Sequence, residues 1–421
     1  MHLACELVKV IRHFFPDLLP LLKGIKDPRN QSYITYQSHV LLMTRILSSI
    51  FYISSMRKTS EEFNSERMIE NIGYLCGQEL LELPYWETIN NYLEKLEPQG
   101  LQDLVCRLVR RLLRSRAFET ARIRGKYWQI IIDGTQLESS RKELDPKSLY
   151  RVHNKGTEKE YTEYYYYVLE AKIVLHENIL VSIMTEFVEN EGKEMEKQDC
   201  ERKACRRLME RLEKEFPMLP ICISADSLYA CESFFGECQR KRWRFLLRFK
   251  EGSIPTVYQE YMALKEIEKN RQEKGETWYD YVNGICYEGH LLNYVECGEN
   301  GRENPLYYLT DLPVTKKNVE GLVMDGRRRW AIENQGFNTQ KRQGYCLEHM
   351  YSRNYQAMKN HYYLIQIGHM ISQVIEAWKS LWEKVRQSRE QKHRRILESF
   401  KFERLKELMP AMEENIQIRF A

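Results

Sequence analysis

Apolar residues recur at helical spacing through the first 125 residues and at strand spacing after them. Val40, Leu41, Met43, Ile46, Leu47, Ile50 and Phe51 follow the period of a helix, and Leu101 to Leu113 repeat it. In that second helix Leu104, Leu108 and Leu112 mark one face, while Arg107, Arg110, Arg111 and Arg114 mark the other. From Lys126 the texture changes. Tyr127 to Asp133 is a short run rich in isoleucine, and Tyr164 to Leu175 and Asn178 to Val188 read as two strands joined at His176. A charged amphipathic helix follows from Lys197 to Glu215, stopped by Pro217. Ile221 to Asp226 is a further buried-type strand, Ala230 to Arg240 a helix, and Trp243 to Phe249 a fifth strand.

The order β-β-β-α-β-α-β predicts an α/β fold, a ribonuclease-H-like mixed sheet with flanking helices. Residues 250–320 interrupt it. After a helical piece, Val257 to Lys269, they hold aromatic strand-like runs separated by the hairpin signals Asn283-Gly284 and Asn300-Gly301, a β-rich insertion. Met324 to Lys341 is then expected to be helical, and Asn354 to Val385 a long amphipathic helix. The organisation is therefore an all-helical domain over 1–125, the first part of the core over 126–249, the insertion over 250–320, the closing helices over 321–385 and a polar, basic tail over 386–421. Lys379 to Glu407 carries ten Lys/Arg against five Glu.

A length of 421 residues exceeds a single hydrophobic core, which supports this division. The net charge of +4 identifies no partner, but Leu101 to Lys126 holds eight Lys/Arg against two Asp/Glu, a local basic patch suited to phosphate contact. Eleven cysteines are scattered singly from Cys5 to Cys346 without zinc or redox spacing, as expected of reduced thiols. Glu6, Lys9 and Arg12 break any signal-peptide core, and Arg45 interrupts the longest apolar stretch. A soluble, cytoplasmic protein is expected.

Asp133 ends a run of three isoleucines and Asp226 ends a second apolar strand, in Ser-Ala-Asp-Ser-Leu-Tyr. A carboxylate at the end of a buried strand needs water, hydrogen bonds or a metal. Turn formation or helix capping is the structural alternative for either residue alone. Glu333 stands in Arg327-Arg-Arg-Trp-Ala-Ile-Glu333-Asn-Gln-Gly-Phe-Asn-Thr-Gln-Lys341, with Arg329 one turn before it. Carboxylates about 4 Å apart repel by roughly 4 kcal/mol at an effective dielectric near 20, so three converging ones imply a divalent cation or protonation. All-oxygen ligands favour Mg²⁺ or Mn²⁺, and two such ions suit in-line phosphoryl transfer.

The segment around Glu333 resembles the signature of the catalytic glutamate in bacterial insertion-sequence transposases of the DDE class, in the subgroup with a β-rich insertion. Ile-Asp133-Gly-Thr-Gln and Ala-Asp226-Ser-Leu-Tyr-Ala resemble that family's two aspartate motifs, and Thr185-Glu-Phe-Val-Glu-Asn190 its strand-end motif. The subgroup's pattern is Tyr, two residues, Arg, three residues, Glu, six residues, Lys. Here Gly326 holds the Tyr position and Lys341 comes one residue late.

The resemblance implies catalysis and metal binding by Asp133, Asp226 and Glu333, with two Mg²⁺ or Mn²⁺ ions. It also implies cleavage at element ends and strand transfer into target DNA. Arg329, Lys341 and Asn334 are then DNA-binding candidates. So are Arg107, Arg111 and Arg114 of the basic helix, Lys155 of a polar loop, and Trp278 as a base-stacking residue beside Tyr279; a solvated helix face for the arginines and packing within the insertion for Trp278 are the structural alternatives. The partners are terminal repeats and target DNA, read by a homodimer on paired ends at the bacterial nucleoid, with the helical domain on the repeat. A structure-selective nuclease of the same fold and a non-catalytic DNA-binding relative are the competing readings.

Overall fold

The computed structural model describes residues 2–190, 199–302, 304–349, 351–382 and 387–412. The chain opens with α1 (Leu3–Phe14), α2 (Leu18–Lys23), α3 (Ser38–Ile50), α4 (Met56–Phe63), α5 (Glu66–Cys76), α6 (Trp86–Leu93) and α7 (Pro98–Arg114). The sheet begins with β1 (Trp128–Ser140), β2 (Leu149–His153), β3 (Tyr161–His176) and β4 (Ile179–Val188). Next come α8 (Glu201–Glu215), β5 (Ile221–Ala225), α9 (Glu232–Arg240), β6 (Arg244–Phe249) and α10 (Pro255–Glu268). The insertion adds β7 (Gln272–Lys274), β8 (Thr277–Tyr287), β9 (His290–Glu299) and β10 (Leu306–Thr310). The chain continues through α11 (Val319–Arg327), a 3₁₀ turn (Arg328–Trp330), a π-helical turn (Ile332–Phe337), α12 (Asn338–Arg342) and α13 (Tyr355–Ala377). It closes with α14 (Lys379–Trp382), α15 (Arg389–Phe402) and α16 (Leu405–Leu408).

The expected α/β fold is present, a mixed sheet with flanking helices and an N-terminal helical region. Its strands run in the order β2-β3-β1-β5-β6-β10-β9-β8-β7, with β4 also on β3. The pairs β1–β5 and β5–β6 are parallel. The insertion does not stand apart from this sheet. β10 pairs antiparallel with β6, so β7 to β10 extend it and satisfy a backbone edge that β6 would otherwise expose.

Several elements differ from the sequence expectation. β1 does not stop at Asp133: its pairing with β3 runs on to Ser140 across a bulge between Gln136 and Ser139. The apolar run ends at Ile132, but backbone pairing needs no apolar side chain. The polar strand β2, on Tyr161 to Tyr165 of β3, went unpredicted for the same reason. The helix expected over Met324 to Lys341 is broken into α11, the 3₁₀ turn, the π turn and α12. Of the helix expected from Asn354 to Val385, α13 covers Tyr355–Ala377, with Asn354 capping the Ala357 N–H at 3.0 Å. Lys197 and Val385, the far ends of two expected helices, lie outside the described residues, as do the last nine residues of the tail. Within that tail α15 packs on α1 and α5 and buries Ile396, Leu397 and Phe400.

The centre of the molecule is α13. It packs on β4 and also against α1, α3, α6 and α7, so the N-terminal helices and the sheet share one core. Gly368 permits the close crossing with α3, since a Cβ there would meet Ser49 Cβ at 2.6 Å. Arg45 of α3 is buried at this crossing. Its Nε donates to His361 Nδ1 at 3.0 Å and its Nη1 to Ser48 and Ser49 Oγ at 3.0 and 2.6 Å.

A second buried polar layer joins β3 to α13. Glu170 and Lys172 have no exposed surface. Glu170 accepts hydrogen bonds from Thr185, Ser182 and Tyr362, and Lys172 Nζ donates to Gln366 Oε1 at 2.8 Å. Burial pushes the Glu170 carboxyl up, and it pulls Lys172 down to about 8 against the opposing attraction of Glu170. The two bond to different partners, but each charge favours the ionised form of the other, so removing one leaves the other buried with less compensation. Lys172→Met is expected to lower stability by about 3–5 kcal/mol, and Glu170→Gln/Lys172→Met to recover most of it, in urea unfolding. Equal losses in the two variants would show that the pair is not coupled.

Candidate active site

The parallel register of β1 and β5 aligns Ile131 with Ser224, and two further residues bring Asp133 level with Asp226. β5 ends at Ala225 while β1 continues, so Asp133 faces the gap left where its neighbour stops. Asp226 caps the turn that follows, its Oδ1 accepting the Leu228 N–H at 2.9 Å. The capping alternative is thus realised, alongside a position suited to chemistry.

Asp133 Oδ1 accepts its neighbour Gly134's N–H at 2.9 Å, and Oδ2 lies 3.3 Å from Arg329 Nη1. Burial pushes this carboxyl up to about 6. Arg329 and the Gly134 N–H pull it down, but Asp226 and Glu201 raise it further. The surroundings are therefore short of positive charge even with Arg329 in place.

Glu333 belongs to the π turn. Its neighbours Ile332 and Phe337 pack with Ile131, Val174 and Leu180, and Ile131 shares a strand face with Asp133. The glutamate segment is thereby held on β1 close to the first aspartate. Glu333 itself is exposed, and it makes no ion pair or side-chain hydrogen bond among the described residues. No three of the described His, Cys, Asp and Glu side chains are gathered closely enough to hold a metal ion. The arrangement thus brings the two aspartates together and sets the glutamate nearby, turned outward.

The π turn also accounts for the late lysine. In an α-helix seven residues advance by about 700° and eight by about 800°, so a seven-to-eight change swings a side chain to another face. A single π-helical turn absorbs one extra residue. It returns Lys341 towards the phase, relative to Glu333, that the shorter spacing gives. Lys341 pairs with Glu348 at 3.2 Å, while Gln340 is buried against Gln366 and His369. Gly326, at the tyrosine position, has no room for a side chain, because its Cβ would lie 2.5 Å from the Tyr308 ring of β10. Gly336 is filled in the same way by the Lys172 stem, at 3.2 Å.

Three residues given no role by the sequence pattern meet beside the aspartates. The Tyr167 hydroxyl lies over Gly134, 2.2 Å from where a Cβ would be, and donates to Glu201 Oε2 at 2.8 Å. Tyr229, three residues after Asp226, donates to Glu201 Oε1 at 2.6 Å. Glu201 opens a charged helix and looks like any acidic N-terminal residue; no spacing announces it.

The other candidates are dispersed. Arg107 and Arg114 are exposed on α7, but Arg111 pairs with Asp17 and Arg110 with Glu215 at 2.6 Å. Lys155 is exposed in the β2–β3 turn and Asn334 is exposed beside Glu333. The Trp278 ring lies against Gly298, with the Arg271 guanidinium 4.3 Å from its centroid.

The transposase DDE domain family matches residues 124–371, more than half of the chain and a span that includes all three carboxylates. The chain belongs to this family of DDE transposases. The cryo-EM structure of a piggyBac transposase synaptic complex with hairpin DNA is similar over 98% of this chain and 82% of that chain, with a TM-score of 0.43 and 12% identity. The curated proteins give no match.

The Asp133 environment has a measurable consequence. A folded-state pKa of about 6, above the ordinary value, means that the folded chain holds this proton more tightly than the unfolded one. The group's contribution to stability is full below roughly pH 4 and lost as pH rises through about 6. In metal-free buffer Asp133→Asn is expected to melt above wild type at about pH 7.5 and to converge with it near pH 4. A calorimetric difference that does not change with pH would contradict this account.

Proposed function

We propose that this transposase is active: it cleaves DNA at the ends of its element and joins the freed 3′-hydroxyls to target DNA. The observation that supports the reading most is the level placement of Asp133 on β1 and Asp226 just past the end of the adjacent parallel β5, with the Glu333 segment packed onto β1 through Ile332 and Ile131. Oxygen-only donors and a raised, charge-crowded carboxyl fit a hard divalent cation. Asp133, Asp226 and Glu333 would hold one or two Mg²⁺ or Mn²⁺ ions, which supply activation of the attacking oxygen and stabilisation of the leaving one.

The protein's own part is to position and release charge. Arg329 holds Asp133 while no DNA is bound, and a DNA phosphate then offers the guanidinium a stronger, bidentate partner. Lys341 is available in the same way once it leaves Glu348. Glu333, free of partners among the described residues, turns towards the aspartates. The partners in this reading are the terminal repeats and target DNA, engaged at the nucleoid by a homodimer that pairs two ends. The helices of residues 1–125 read the repeat.

The test is cleavage of supercoiled DNA carrying the element's ends, with Mg²⁺, Mn²⁺ or EDTA. Wild type is expected to nick and join only with metal. Asp133→Asn, Asp226→Asn and Glu333→Gln are each expected to lose about 10²–10³-fold or more in rate. Retained activity in all three variants would mean that the triad is wrong. Hydrolysis without joining would indicate a nuclease, and binding without cleavage a non-catalytic relative.

A further inference from the structure

α8 begins beside the aspartates and runs away from them. Its first residue, Glu201, is tied to Tyr167 and Tyr229, and its last, Glu215, accepts from Arg110 of α7. At 1.5 Å per residue these ends are separated by about 20 Å. The α7 arginines therefore stand at the far end of α8. The cations on α8 nearest the catalytic carboxylates are Arg202, Lys203 and Arg206, in its first two turns.

All three are exposed, and none is in an ion pair with another of the described residues. Arg202 donates instead to Cys231 Sγ at 3.1 Å. Arg207, the next residue, shows what a structural role looks like here, with Glu186 and Asp199 both at 2.6 Å. Beyond the second turn the exposed face changes sign at Glu210. Arg202, Lys203 and Arg206 line a cleft of about 130 Å³ between α8 and α9, together with Tyr229 and Ser233. The carboxylate in that lining, Glu237, is engaged by Arg240 at 2.5 Å. Arg202 and Arg206 are like charges at i,i+4, an arrangement that destabilises a helix unless an anion is shared between them.

We propose that this cleft and the α8 cations bind the phosphodiester backbone of the DNA being cut, on the flank of the catalytic aspartates marked by Glu201. The proposal rests on the transposase reading and adds to it the path of the DNA. The contacts are electrostatic and independent of sequence, so they set affinity and its salt dependence rather than end specificity.

The experiment titrates the full chain with end DNA in EDTA, where no cutting occurs, over a range of salt. Neutralising Arg202, Lys203 and Arg206 together to Ala is expected to reduce the slope of log affinity against log salt by about 2–3. Arg202→Lys/Arg206→Lys should keep the wild-type slope, and Lys214→Ala, at the far end of α8, should leave it unchanged. If the triple variant fails to fold, Arg202→Gln alone should lower the slope by about 1. An unaltered slope in a folded variant overturns the proposal. Wild-type cleavage with Mg²⁺, measured beside it, keeps the two readings apart. Normal cleavage with an unaltered slope removes only the α8 path, whereas loss of cleavage with an altered slope removes only the catalytic reading.

Discussion

β1 outruns its parallel neighbour, and the rest of the site depends on that mismatch. β5 stops at Ala225, while β1 continues to Ser140 supported by β3 alone. Up to Ile131 the strand is buried between two partners and filled with isoleucine. At Asp133 one partner is gone, and a carboxylate can reach solvent from the middle of a strand. Asp226 is brought level with it by the same register. Asp133 thus owes its position to backbone pairing with β3, and Asp226 to the end of β5 one residue before it, which fixes them more firmly than a long loop would.

Beneath the glutamate segment lies a layer that an apolar core would not provide. Lys172 fills the space left by Gly336, its ammonium bonded to Gln366, and Gln340 reaches the same glutamine from the other side. These contacts fix the π turn on β3 and α13. Buried polar groups of this kind are tolerated when every member is satisfied, and they then allow fewer alternative packings than apolar ones. The irregular helix is consistent with that fixing: the extra residue before Lys341 is taken up in the π turn.

Charge is deliberately unbalanced around Asp133. Desolvation, Asp226 and Glu201 all oppose its ionisation, and Arg329 offsets them only in part. A site in this condition gains by taking up positive charge, whether from Arg329 or from a divalent cation. The arginine's contact is long, at 3.3 Å, and its Nε is buried without a hydrogen-bond partner among the described residues. Such a contact is easily exchanged for a better one. Glu333 has the complementary freedom, anchored through its backbone neighbours and exposed at its carboxylate.

The sequence by itself determined the α/β class, most strands and the two aspartate motifs, because buried strands need uninterrupted apolar runs and a carboxylate breaking such a run is conspicuous. It also marked the Glu333 segment, through the dense cluster of Arg, Trp and amides around it. It could not show that β1 continues past Asp133 or that β2 exists, since edge pairing is made by backbone atoms and leaves no apolar pattern. Nor could it separate the arginines of α7 from those of α8. Arg110 and Arg111 are spent on Glu215 and Asp17, whereas Arg202 and Arg206 have no such carboxylate among the described residues. Tyr167, Tyr229 and Glu201 meet only because the middle of β3, the turn after β5 and the start of α8 come together in the fold. Local pattern records what each segment must bury; which charges remain unpaired is decided when distant segments come together.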